Sequence, residues 1–140
     1  MIDRRSGHLL LAPTASVRAG DSMETVRAVV PGGTNEVRDM GNGWKWLVAR
    51  NVHLGPDWFH FHFYFYENRL RMVSLGVSRT RTALLGSWAD WSERAERQRA
   101  EELKAWVRAE VGREGRFPWG TITADYDEKS ASSGITINYD

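Results

Sequence analysis

The chain has 140 residues, a formal net charge of +1 and no cysteine. Its length fits one domain over residues 1–140, with enough surface buried for a single core. The small net charge argues against direct nucleic-acid binding, and the missing cysteine excludes disulfides and thiolate catalysis. No stretch approaches the ~20 apolar residues that span a bilayer, and the N-terminus lacks a signal-like apolar run, so we expect a cytoplasmic protein without membrane contacts.

The first third of the chain predicts a strand, a short helix and an edge strand. Residues 7–11 form a short apolar run that is typical of a first strand. Apolar residues at positions 23, 26, 29 and 30 then make one helical stripe, and Asp21 or Ser22 is the candidate N-cap. Residues 35–39 predict an edge strand before a glycine-rich turn.

The middle of the chain contains its strongest pattern, an unbroken alternation over residues 58–66. Successive strand side chains take opposite faces, so a phenylalanine row points one way and a His/Tyr row points the other. A strand of this kind needs neighbours on both edges, which predicts a central position in a sheet. Residues 44–50 predict another strand, with both of its tryptophans and Val48 on one face. The phenylalanine row consists of Phe59, Phe61, Phe63 and Phe65.

The dipeptide Glu67-Asn68 predicts a tight hairpin into the next strand, residues 70–77. Asparagine tolerates the left-handed backbone conformation that such hairpins require. Because a two-residue loop preserves side-chain parity, we expect Leu70 and Met72 to join the phenylalanine face. The same parity predicts four residues on the His/Tyr face: Arg69, Arg71, Val73 and Leu75.

The C-terminal half predicts one long helix and a closing hairpin. The helix has Ser87 or Ser92 as N-cap, runs to about Val111 and ends at Gly112, because glycine is favoured just past helix ends. The last two strands alternate over residues 121–126 and 135–139. Together these elements predict an α+β fold: a single antiparallel sheet of about six strands, with the long helix and the short N-terminal helix packed on one face, that of the phenylalanines. The helix buries a stripe of Ala100, Leu103, Trp106, Val107 and Val111.

His60 and His62 are the residues most typical of a metal site. Two histidines at i and i+2 on a strand point to one side and can share a metal, provided that a further ligand lies nearby. His53 and Asp57 are the nearest candidates for that ligand. The alternative is that both histidines are polar members of an aromatic sheet face. We favour this alternative and predict no metal and no cofactor.

The sequence contains no catalytic signature, so we predict a protein that is not an enzyme. It has no Gly-x-Ser-x-Gly elbow and no glycine-rich nucleotide-binding loop. Asp125 and Asp127 share a strand face and could form an acid pair for general acid–base work. They lie at a strand end beside a polar loop, where acids are usually solvated.

Two groups of residues are candidates for contact with a protein partner. Trp58, Tyr64 and Tyr66, beside Arg69 and Arg71, are of the types enriched at binding hot spots, although they could instead form a second core layer. The other group is acidic, since residues 117–140 hold a single lysine against four acids. An acidic surface can enter a basic cleft through charge complementarity. The acidic candidates are Asp125, Asp127, Glu128 and Asp140.

Four short segments serve as sequence landmarks: WADWSE (88–93), FPWGTI (117–122), YDEKS (126–130) and ITINY (135–139). With the opening residues 7–13 and the charged helix, they resemble the immunity proteins of contact-dependent growth inhibition and related polymorphic toxin systems in bacteria. The resemblance implies a cytoplasmic protein that binds the C-terminal domain of one cognate toxin. It implies further that binding blocks the active site of the toxin or its access to the target. We expect a monomer or a weak homodimer.

The alternative function is a metal-binding or small-ligand-binding domain that uses the sheet face of His60, His62 and the Trp/Tyr side chains. It predicts a bound metal that is lost in His60→Ala, or an apolar cavity under that face. An immunity-type protein instead has no activity alone and binds its toxin tightly. If the toxin is a nuclease with a basic cleft, we expect the four acidic candidates to fill that cleft.

Overall fold

The computed structural model describes residues 1–12, 15–30, 34–78, 93–127 and 132–140. These residues include two helices, α1 (Met23–Val29) and α2 (Glu93–Val111). The strands are β1 (Leu9–Ala12), β2 (Ala15–Val17), β3 (Thr34–Asp39), β4 (Trp44–Leu54), β5 (Asp57–Tyr66), β6 (Arg69–Ser78), β7 (Gly115–Phe117), β8 (Gly120–Asp127) and β9 (Ser132–Tyr139). Within the described ranges, no helix is both long and apolar enough to cross a membrane.

One antiparallel sheet of seven strands dominates the fold, in the order β3-β4-β5-β6-β9-β8-β7. Strands β1 and β2 pair separately in a two-stranded sheet. The predicted α+β class is therefore confirmed, and the strand count is larger than predicted. The two strands that the sequence did not predict, β2 and β7, are three residues long. An alternating pattern cannot be recognised over so few residues.

The phenylalanine face of β5 lies at the centre of the core, as predicted. The four rings of Phe59, Phe61, Phe63 and Phe65 are at most 2% exposed, and burial of each contributes roughly 1.5–3 kcal/mol. Strands β4 and β6 pair with β5 on its two sides. The ring of Trp106 in α2 meets Phe59 edge to face, with centroids 6.1 Å apart. The long helix therefore covers the predicted face.

The helix ends follow the predicted capping chemistry where the structure describes them. The hydroxyl of Ser22 accepts a hydrogen bond from the backbone N–H of Thr25 at 3.2 Å, so Ser22 is the N-cap of α1. Helix α2 ends before Gly112, whose φ is +89° and whose N–H donates to the Arg108 carbonyl at 2.9 Å. The candidate N-caps of α2 lie outside the described residues.

The predicted orientation of β6 was wrong beyond Leu70, because the strand contains a β-bulge. Strand β6 pairs with β5 on both sides of Arg71, but Arg71 itself is an extra residue without a partner in β5. One extra residue reverses the parity of everything that follows. Val73 and Leu75 are therefore buried on the phenylalanine face, and Met72 lies opposite Tyr64 on the other face.

Strand β6 pairs with β5 on one side along its length, and the bulge lies where the partner on its other side changes. The N–H of Leu70 donates to the Asp21 carbonyl at 2.9 Å, and the Leu70 carbonyl accepts from the N–H of Gly20 at 3.0 Å. From Met72 to Leu75, β6 pairs with β9 instead. These two partners come from opposite ends of the chain, so no local pattern in β6 indicates where one replaces the other.

Strand β4 continues past its predicted end at Arg50, also through an irregular register. Its pairing with β5 shifts between Ala49 and Val52, and Asn51 has a φ of +54°. Asparagine adopts this left-handed conformation at lower cost than most residues. The strand therefore kinks at Asn51 and continues to Leu54.

Candidate protein-binding surface

The sheet has a second face, opposite the phenylalanine core, which we call the outer face. It carries the side chains of β5 that alternate with the phenylalanines, together with their cross-strand neighbours. Both helices contribute side chains to the core on the other face. Within the described part of the chain, neither helix covers the outer face. The β5 residues on it are Trp58, His60, His62, Tyr64 and Tyr66.

Two cross-strand aromatic pairs lie at one end of the outer face. The rings of Trp44 and Tyr66 are 5.2 Å apart, and those of Trp46 and Tyr64 are also 5.2 Å apart, edge to face. Such pairs stabilise a sheet by roughly 0.2–1 kcal/mol each and restrain the rings. Tyr66 remains 36% exposed. We call this region, with its neighbouring side chains, the aromatic patch: Trp44, Trp46, Tyr64, Tyr66, Met72, Arg38 and Arg69.

Charged side chains of β3 and β6 form the two edges of the aromatic patch. Arg38 and Arg69 are exposed on its two sides. Glu36 accepts from Arg38 at 2.9 Å and from Arg50 at 3.3 Å. The hydrogen bond from Arg38, followed by that from Arg50, holds the pKa of Glu36 below its usual range. Two arginines thus share one carboxylate, which leaves this border positively charged.

His60 and His62 lie on the outer face next to the aromatic patch. Nδ1 of His60 accepts a hydrogen bond from the backbone N–H of Asn51 at 3.3 Å, which leaves Nε2 to carry the proton of the neutral ring. Burial lowers the pKa of both histidines, and the positive charge of Arg50 lowers each further. These effects favour the neutral form of both rings.

The far end of the outer face carries a separate pair of rings. His53 stacks flat on Trp58, with centroids 4.2 Å apart and an interplanar angle of 5°. Tyr66 lies eight positions after Trp58, which is about 26 Å along an extended strand. Trp58 therefore does not join the aromatic patch. Across the described residues, no group of three His, Cys, Asp or Glu side chains is placed to hold a metal ion.

The acidic candidates are divided between the two ends of β8. Asp125 is exposed and lies on the outer face, and Asp127 follows it in the strand at the same parity. The side chain of Asp127 and all of Glu128 lie outside the described part. Asp140 lies beyond the other end of β8, where both terminal nitrogens of Arg116 donate to its carboxylate, one of them at 2.8 Å. The structure therefore does not bring Asp140 together with Asp125.

Four members of the aromatic patch were not among the sequence-based candidates: Trp44, Trp46, Met72 and Arg38. Alternation did predict that Trp44 and Trp46 share a face, but only the register of β4 on β5 places them against the two tyrosines. Met72 reaches the outer face because of the bulge, and Arg71 is exposed at that bulge. If the pairing of β4 with β5 had been predicted from the turn that joins them, both tryptophans would have been placed beside the two tyrosines.

A comparison with solved structures finds a similar fold. One chain of the complex of Rhs1-CT with its cognate immunity protein RhsI1 matches with a TM-score of 0.56 and 14% sequence identity. The match covers 99% of this chain and 85% of that chain. No family profile matches the chain, and a search of curated proteins finds no significant match. At 14% sequence identity, this similarity shows the fold alone.

Proposed function

We propose that the chain is an immunity-type protein that binds a cognate toxin domain and blocks its active site or its access to the target. The observation that carries the proposal is the aromatic patch on a sheet face that, in the described residues, neither helix covers. The likeness in fold to a chain of a toxin–immunity complex supports the same function. No metal or cofactor takes part in it.

The composition of the aromatic patch suits a protein interface. Tyrosine, tryptophan, methionine and arginine are the residue types enriched in interface cores. Cross-strand contacts already restrain the four aromatic rings, so binding costs them little further side-chain entropy. The rings are also not required to close the core, because the phenylalanine row does so on the other face. We therefore place the main toxin contact on the aromatic patch.

We propose the acidic end of β8 as a second contact for a toxin with a basic cleft. Asp125 lies on the outer face, and Asp127 and Glu128 follow it along the chain. Carboxylates at the edge of an interface steer association with a basic surface. Asp140 could take part only by giving up its ion pair with Arg116. Trp58 and Arg71 are proposed as outlying contacts of the same face.

The first experiment is co-expression with the toxin domain encoded immediately upstream in the source genome. We expect restored growth and a complex that co-elutes in size-exclusion chromatography. The double variant Tyr66→Ser/Arg69→Ser should weaken toxin binding by at least about tenfold, because truncating a hot spot costs about 2 kcal/mol or more. Arg27→Ser, an exposed arginine on α1, is the matched control. Failure of the wild-type chain to bind the toxin would contradict the proposed function.

The two contacts are tested separately. Calorimetric titration of the toxin tests the aromatic patch, and stopped-flow measurement of toxin association at several salt concentrations tests the acidic contact. A patch variant that melts like the wild type and binds with unchanged affinity would contradict the placement on the aromatic patch. Asp127→Lys/Glu128→Lys tests the acidic contact, and we expect slower association that is less sensitive to salt. Unchanged association kinetics would remove the acidic contact from the proposal.

A further inference from the structure

A shallow groove of about 560 Å³ lies at the opposite edge of the sheet from β3. The end of α2, strand β7 and the N-terminal segment form its walls. Its lining combines an apolar floor with a cationic rim. Val111, Phe117 and Pro118 form the floor, and Arg4, Arg5 and Arg113 form the rim.

Arg113, the rim arginine between α2 and β7, is held in position before any ligand binds. The Arg113 guanidinium lies 4.2 Å from the centroid of the Phe117 ring, a distance suited to a cation–π contact. It also donates to the backbone carbonyls of Glu114, at 3.3 Å, and of Arg116. These contacts orient a planar donor group at the edge of an apolar floor.

The backbone that carries Arg4 and Arg5 is also tied down. The Arg4 carbonyl accepts a hydrogen bond from Nε1 of Trp119 at 2.9 Å. The N–H of Arg5 donates to the Asp3 carboxylate at 2.8 Å. The bond from Trp119 ties Arg4 to a distant part of the fold, and the bond to Asp3 closes a local turn at Arg5, so the two arginines start from a restrained backbone.

Three acids near the groove are already paired with cations outside the rim. Asp140 binds Arg116, and Glu110 lies 3.4 Å from the amino group of Met1. Glu114 lies 3.4 Å from Lys104. Among the described residues, no carboxylate forms an ion pair with a guanidinium of the rim. The C-terminal end of α2 contributes negative polarity that favours these cations.

We propose that this groove binds an acidic peptide segment of a protein partner, with carboxylates on the arginine rim and an apolar side chain on the floor. Guanidinium groups match the planar carboxylate with paired hydrogen bonds. The apolar floor favours a ligand that has hydrophobic side chains beside its acids over a uniformly charged polyanion. The site goes beyond the proposed function, because it lies at the β7 edge, away from the aromatic patch of β3 to β6.

The probe is a blocked, fluorescein-labelled peptide of sequence Glu-Leu-Glu-Phe-Glu-Leu-Glu, titrated with the full chain. We expect a saturable rise in anisotropy that weakens with salt, because the rim is exposed to solvent. Backbone amide NMR should show shifts at Gly112 and Arg113 and none at Gly76 on the distant strand β6. The peptide with Gln in place of Glu, and the peptide with Ser in place of Leu and Phe, should bind at least about tenfold more weakly.

Matched arginine variants locate the binding. Arg4→Gln/Arg5→Gln and Arg113→Gln should each lose at least about tenfold in affinity. Arg94→Gln is the control, an exposed arginine near the opposite end of α2, about 26 Å from Val111 along the axis. The proposal is overturned if no saturable binding occurs, or if the Ser-substituted peptide or a DNA oligonucleotide binds as tightly. It is also overturned if the shifts cluster on the outer face.

Discussion

Tyr139 joins distant parts of the chain through one buried hydroxyl. The hydroxyl donates to the Gly7 carbonyl at 2.7 Å, and burial raises the pKa of Tyr139 far above its usual value, so the proton is retained. Tyr139→Phe leaves that carbonyl buried without this partner. We expect a loss of about 1–2 kcal/mol in the free energy of unfolding, measured by urea denaturation. The control Tyr66→Phe, at an exposed ring, should change it by under about 0.5 kcal/mol; equal losses would contradict the prediction.

His60 makes the stability of the fold depend on pH below 6.5. Burial lowers its pKa from the usual 6.5, and the charges of Arg50 and Arg99 lower it further. The unfolded chain therefore takes up a proton at a higher pH than the folded chain. The contribution of His60 to stability is complete above pH 6.5 and is lost as the pH falls. His62 acts in the same direction.

We expect the urea midpoint to fall as the pH is lowered from about 7.5 to about 5. His60→Gln should make that decline shallower, since glutamine keeps an acceptor for the Asn51 N–H but does not titrate. The measurement is a series of urea titrations across this pH range for both proteins. A decline of the same slope in the variant would show that His60 does not cause it.

At the scale of the element, the bulge at Arg71 decides which side chains of β6 enter the core. Deleting Arg71 joins Leu70 to Met72 in a regular ladder, and every following residue keeps its partner in β5. We expect this deletion variant to fold, with lower stability. Inserting one alanine after Val73 should prevent folding, because Leu75 then turns away from the phenylalanines.

Circular dichroism and urea unfolding of the two length variants test this prediction. The deletion variant should keep a cooperative transition, and the insertion variant should have none. Loss of cooperativity in the deletion variant would mean that the bulge is needed for folding. A stable insertion variant would mean that β6 can shift its register at little cost.

At the scale of the whole molecule, the sheet is stabilised from its centre. Strands β5 and β6 pair on both sides, and β5 carries the most deeply buried rings, whereas β3 and β7 are edge strands. Amide hydrogen exchange followed by NMR should be slowest for Phe61, Phe63 and Val73. It should be faster for Val37, which is 43% exposed on β3. Uniform protection across the seven strands would contradict this order.

The sequence by itself determined the local features of this protein. The alternation over residues 58–66, the cap at Ser22 and the stop at Gly112 all have the predicted structure. The Glu67-Asn68 hairpin also does, with φ of +49° and +61° at its two residues. Each of these features depends on backbone geometry and hydrogen bonds within a few neighbouring residues, so the sequence contains all the information that each requires.

Only the tertiary structure decided the features that join distant segments. The bulge at Arg71 depends on Asp21 and on β9, which lie on opposite sides of it in the chain. The aromatic patch depends on the register of β4 against β5, and the arginine groove on the approach of Arg4 to Arg113. Contacts between segments far apart in sequence select these arrangements. The periodicity within one segment does not reveal which distant segment it will pair with.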